Sequence, residues 1–251
     1  MKEANIRPYR TFLLLGIFAV AMGFLEAIVV VYLRQIYYPH GFDFPLILLS
    51  PQMLSVEWVR ETATLVMLAS VGIIAGRTNL QRLLFFLYSF AVWDIFYYIA
   101  LMIFLGWPAS LLTWDILFLI PVPWIAPVLA PVICSLTMII MAGLFIGLEE
   151  KGYPVKMRPF EWVLIYLGAF IIFCTYIRDY TVLIINSGLL SGSRDTEEKE
   201  QFWKIITHYN PTHYDWLIFI TGELIILCAL IFAYRRIKTG KTNENKSEPQ
   251  P

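Results

Sequence analysis

Charged side chains are scarce in this chain. Only 15% of its 251 residues are Asp, Glu, Lys or Arg, while 59% are apolar (AVILMFWYC); a soluble domain carries about a quarter charged residues and an apolar share nearer a half. That imbalance excludes a disordered chain, a collagen-like chain and a routine cytosolic enzyme. Neither sign of charge is in excess, since 19 basic side chains offset 19 acidic ones. The broad positive field of a nucleic-acid binder is therefore missing, and no nucleic-acid partner is expected. Cysteine is equally sparse: Cys134, Cys174 and Cys228 lie in apolar runs with no CxxC spacing, which implies neither a disulfide framework nor a zinc site. The chain also lacks Walker A, GxGxxG, GxSxG and DxxD patterns, so the familiar phosphate-binding and nucleophilic machinery is not written in it.

What the chain has instead is long apolar runs. A bilayer core about 30 Å thick takes roughly 20 consecutive apolar residues in a helix, because amides facing lipid must be satisfied within their own segment. Six runs qualify, at about 11–33, 57–76, 82–105, 128–148, 162–185 and 216–234. Between the third and fourth, residues 110–126 begin apolar (Leu111, Leu112, Trp114, Ile116) and are then broken by Pro121 and Pro123. This stretch is too short to cross, and proline denies helical hydrogen bonds, so a re-entrant or interfacial half-helix is expected there. Six spans leave thirteen basic residues on the side of the chain ends and six on the other, whereas a seventh crossing would level the division to about nine and ten. Basic loops stay cytoplasmic. The expected fold is an all-α integral membrane protein with six transmembrane helices plus the half-helix, and with N- and C-termini cytoplasmic.

The basic start and Ala19-Val20-Ala21 resemble a secretory signal, but the apolar run continues to Val31, so an uncleaved first helix is expected. Residues 239–251 are polar, mixed in charge and proline-ended, which suits a disordered cytoplasmic tail. In the loop 186–215, Phe202, Ile205, Ile206 and Tyr209 recur at helical spacing, which predicts a short helix on the outer surface. Short loops suit a bacterial inner membrane.

The informative residues are ionisable groups that lipid does not tolerate. A charge near the bilayer centre costs at least about 2.5–3.5 kcal/mol, so an acid there faces a partner, water or a site. Glu26, Asp94 and Glu223 fall in spans one, three and six, all in the outer half of the bilayer by counting residues from the span ends. Asp115 in the half-helix sits in Trp114-Asp115, an echo of Trp93-Asp94, where an indole N–H could bond a carboxylate. These four are the candidate proton-exchanging or ligand-holding carboxylates. Arg60, Glu61, Arg178, Asp179, Tyr97 and Tyr98 are the candidate substrate-binding groups around them. In span two, Glu57 and Glu61 share a face at i,i+4 and Arg60 reaches Glu57 at i,i+3. Bland alternatives stand beside each assignment: solvation at the membrane boundary for Glu57, Arg60, Glu61, Arg178 and Asp179, and a structural pair with Arg60 or Arg178 for the deep acids. His40, His208 and His213 lack the tight spacing of metal ligands, so no metal site is expected, and no cofactor is indicated.

These residues support three functions of different kinds. The first is transport of a small solute or cation with proton coupling, in a cavity lined by the acids. The second is a membrane-embedded enzyme acting on a lipid-like substrate from the outer leaflet. The third is a non-catalytic subunit or assembly factor, whose acids would face outward to dock partner helices in an oligomer or membrane complex. Reporter fusions after Arg77, Lys156 and Lys241 are expected to read cytoplasmic, and fusions after His40 and Arg194 external; the reverse pattern would overturn the orientation.

Overall fold

Local chemistry sets the helix boundaries. The Ser50 side chain accepts from the Met53 amide at the start of one helix, with proline at its first position, and Thr78 does the same for Gln81 at the start of the next; both relieve amides that a helix start leaves unpaired. Gly106, at φ 63°, closes that second helix in the left-handed conformation that glycine adopts without strain. A computed structural model of the chain describes residues 8–47, 49–120, 122–186 and 208–247. It contains α1 (Pro8–Tyr37), α2 (Pro51–Ala75), α3 (Asn79–Leu105), β1 (Trp114–Phe118), β2 (Trp124–Pro127), α4 (Leu129–Glu150), α5 (Pro159–Asn186) and α6 (Trp216–Ser247). All six helices are long and apolar enough to cross a membrane. The protein is a multi-pass, all-α membrane protein, and six crossings return the chain to the side where it began, called the inner side below.

Two expectations are corrected. The segment at 110–126 is not a half-helix but an antiparallel hairpin, β1 paired with β2 in the register Asp115↔Ala126 and Ile116↔Ile125. Trp, Ile and Phe favour a pleated, half-buried surface. Prolines at and beyond the turn forbid helix, and cross-strand pairing satisfies the amides that a half-helix would otherwise satisfy along its own axis. The second correction concerns the tail: α6 continues to Ser247, past the expected boundary at Thr239. A helix already nucleated by the span propagates through Lys, Thr, Asn and Glu until a breaker, here Pro249, approaches. The surface helix expected at 197–209 falls on residues of which 197–207 lie outside the described ones.

The hairpin enters the bundle. Its Phe118 stacks on Phe90, which lies fifteen residues, or about 22 Å along the helix, below the outer end of α3. α3 is the hub, packing on α1, α2 and α4, while α5 and α6 form a second pair joined to the rest through α4 and β2. In the inner half an apolar plug (Leu15, Leu84, Phe85, Met141, Phe145, Leu230) closes the bundle. In the outer half the hairpin spreads the helices apart, and polar groups gather around it.

Glycines set the closest approaches. A Cβ on Gly222 of α6 would stand 2.8 Å from the Gly168 carbonyl oxygen of α5, whereas one on Gly143 of α4 would meet nothing within 4 Å. Gly222→Val should therefore destabilise by about 1–3 kcal/mol through overpacking, while Gly143→Ala should be neutral or stabilising by up to about 1 kcal/mol. Thermal unfolding in detergent checks the pair, and equal behaviour of the two variants would contradict the packing described.

Candidate functional site

Helical spacing assembles the site on α2. Glu57, Glu61, Thr64 and Leu68 recur at intervals of three and four and are all buried, so the polar stripe of this helix faces inward and its apolar side faces lipid, the inverse of a soluble amphipathic helix. Across from it α1 supplies Glu26 and Arg34, α3 supplies Asp94, Tyr97 and Tyr98, and β1 supplies Asp115. All of these line one cavity of about 370 Å³. By residue count Glu26 and Asp94 each lie eleven residues below the outer ends of α1 and α3, about 16 Å.

Arg60 is the centre of the first charge group. Its guanidinium meets Glu26 of α1 in an ion pair, and it binds Glu57, one turn earlier, through Nε at 2.9 Å and Nη2 at 2.8 Å. Glu61 stands 4.0 Å away on the same helix. Glu26 also accepts from the Thr64 hydroxyl at 3.0 Å. Glu61 has a further task, for both of its carboxylate oxygens lie 3.0 Å from the Leu119 amide at the tip of the hairpin. A backbone amide at membrane depth cannot be left to lipid, and the carboxylate satisfies it.

Arg34 and Asp115 form the second group, nearer the outer surface. Arg34 donates to Asp115 at 3.1 Å, with its guanidinium over the rings of Trp107 (3.7 Å) and Phe42 (4.3 Å). A planar, weakly hydrated cation suits such a sandwich, which an ammonium would fill poorly. Tyr98 donates to the other Asp115 oxygen at 3.2 Å. The Asp115 carboxyl thus has a donor on each of its two oxygens, the Arg34 guanidinium on one and the Tyr98 hydroxyl on the other.

Asp94 differs from the other acids. Its partner is a hydroxyl, Ser135 of α4, at 2.9 Å, and it has no cationic partner among the described residues. The cavity thus holds five carboxyl groups, on Glu26, Glu57, Glu61, Asp94 and Asp115, against two guanidinium groups.

Seven of the candidates read from sequence border this cavity: Glu26, Asp94, Asp115, Arg60, Glu61, Tyr97 and Tyr98. The other three lie elsewhere. Glu223 is buried on the far side of α4, where Thr137 donates to it at 2.8 Å and Cys134 stands between it and Tyr176. Arg178 is half-exposed and pairs with Asp215, and Asp179 accepts from Tyr209. Depth along a span could be counted from sequence, but which way α6 turns Glu223 could not. The expected Trp–carboxylate bond is not made in the case of Trp93, whose indole N–H has no partner among the described residues. Arg34, Thr64 and Ser135 are the residues that sequence reasoning missed. Arg34 entered the sequence reading only in the count of basic residues, and its role rests on Asp115 and on the Trp107 and Phe42 rings that the fold brings to it. Among the described residues no group of three His, Cys, Asp or Glu side chains is placed to hold a metal ion.

The chain matches no protein-family model, no curated protein and no solved structure. Its chemistry has to be read from its own side chains.

Arg60→Gln would leave Glu26, Glu57 and Glu61 buried without their cation, at a cost of roughly 3–5 kcal/mol. Adding Glu26→Gln to Arg60→Gln should recover part of that loss. A double-mutant cycle on thermal stability checks this, and additive effects would show that the two residues are not coupled.

Proposed function

We propose that the protein exchanges a small cationic solute for protons through the outer-half cavity. The observation that carries this reading is Asp94, a buried carboxyl on the cavity wall with a hydroxyl partner and no counter-ion among the described residues. Such a group is stable in two ways, protonated or holding a cation, and that alternation is the chemistry of an antiporter site. The surplus of carboxylates over guanidiniums in the cavity favours a cation over an anion. The re-entrant hairpin supports the reading further, since irregular backbone at membrane depth is tolerated where it lines a cavity. The inner plug closes the cavity toward the cytoplasm, as expected of an outward-facing state. The acids also turn inward, the opposite of what docking of partner helices would need.

A membrane-embedded enzyme is the second reading, favoured by one observation: the Tyr98 hydroxyl on Asp115, a pair that could pass a proton to a bound substrate.

Reconstituted into liposomes with a trapped pH-sensitive dye, the protein should dissipate a pH gradient when tetramethylammonium, guanidinium or an alkali cation is supplied outside. Asp94→Asn should reduce that rate at least about tenfold, by removing a site where proton and cation compete, and Glu26→Gln should lower it as well. Glu223→Gln, on the far side of α4, should retain most of it. Wild-type rates from Asp94→Asn would refute a carboxylate exchange site.

A further inference from the structure

The path to this cavity is set by two helices that avoid each other. α1 and α2 both pack along α3 yet scarcely touch one another, and their recorded side-chain links are the polar ones at mid-depth, Thr64 to Glu26 and Arg60 to Glu26. Above those links the cavity wall carries Val30 and Leu33 from α1 and Leu54 and Trp58 from α2, with Arg34 and Tyr37 beside them on α1 and Glu57 on α2. Trp58 is 43% exposed on the side of the bundle, where lipid would lie. The cleft between the acidic floor and the outer leaflet is thus lined by these four apolar side chains, while the charged groups beside them are already engaged, Glu57 by Arg60 and Arg34 by Asp115.

A soluble ion would be served poorly by such a route. An apolar seam offers a hydrated cation nothing in exchange for its water, whereas it accommodates a hydrocarbon chain at no desolvation cost. At the floor the balance is reversed: Asp94 has no counter-ion among the described residues, and five carboxyl groups meet two guanidinium groups. An anionic head group would be repelled there, and a neutral one would leave the excess charge standing. At about 370 Å³ the space is near the small end of ligand pockets, suited to a compact head group and the first part of one chain.

Resting on the exchange reading above, we infer that the ligand is a single-chain cationic amphiphile taken from the outer leaflet, with its ammonium against Asp94 and its chain in the cleft between α1 and α2. Charge complementarity selects the head, and the apolar seam selects the tail.

The test measures thermal unfolding of the full chain in phosphatidylcholine nanodiscs with four probes: dodecylamine, butylamine, dodecanol and dodecyl phosphate. Dodecylamine should raise the midpoint saturably, and the other three should not. Along an alkylamine series the apparent affinity should rise about fourfold per added methylene, the factor that follows from moving one CH₂ out of water. Asp94→Asn should abolish the response. Should that variant fail to fold, Val30→Trp, which fills the cleft without touching a charge, should weaken the response at least tenfold. Butylamine acting as well as dodecylamine would overturn the lipid route and leave exchange of a soluble cation standing. An equal response to dodecanol or dodecyl phosphate, or no response to any probe, would overturn the ligand class. Saturable dodecylamine binding without any liposome exchange would instead support the ligand class and sink the transport reading.

Discussion

A guanidinium buried among three carboxylates is the contact on which the outer half of this protein depends. Removing Arg60 from water is costly, and the cost is recovered only if several oxygens surround it in good geometry. Glu57 supplies two of the bonds from the same helix. Glu26 has to come from another, so the ion pair draws α1 to α2 at mid-depth although these two helices otherwise keep apart. Glu61 extends the same group to the hairpin by accepting from the Leu119 amide. One cation thus ties together two helices and a re-entrant segment, and the cavity is the space these constraints leave open above it.

The two halves of the bundle obey different physics. In the inner half, apolar side chains from α1, α3, α4 and α6 interlock into a plug with packing comparable to a soluble core. In the outer half the hairpin keeps the helices from closing in the same way. Its strands pair with each other and the Leu119 amide is capped by Glu61, so these backbone groups are satisfied among the helices. Access from one side and closure on the other follow from this asymmetry. The polar residues collect where water can reach them, and Asp94, which has no cation beside it, sits at the boundary between the two regimes.

Much of the site was legible in the residues themselves. The i,i+3 and i,i+4 spacing put Glu57 and Glu61 on one face with Arg60 in reach of Glu57, with solvation at the membrane boundary as the alternative, and the structure turns Glu57 and Glu61 inward. The echo of Trp93-Asp94 in Trp114-Asp115 marked two acids that border the same cavity. The hairpin was misread as helix because a short apolar run carries no decisive period, and the choice of strand rests on a pairing partner six to thirteen residues away. Arg34 was passed over for a related reason: its aromatic cover comes from Phe42 and Trp107, residues far apart along the chain.

Composition and spacing were enough to give the six apolar helices and their approximate places along the chain, since these depend on the rise per residue and on the intolerance of lipid for unpaired polar groups. Azimuth was beyond them. Glu26, Asp94 and Glu223 lie in the same half of the bilayer, yet only the first two share a cavity, because α4 stands between them and Glu223 and turns its own hydroxyl, Thr137, toward that acid. The rotation of a helix about its axis is decided by the shapes it packs against, and in a bundle surrounded by lipid those shapes exist only once the helices have assembled.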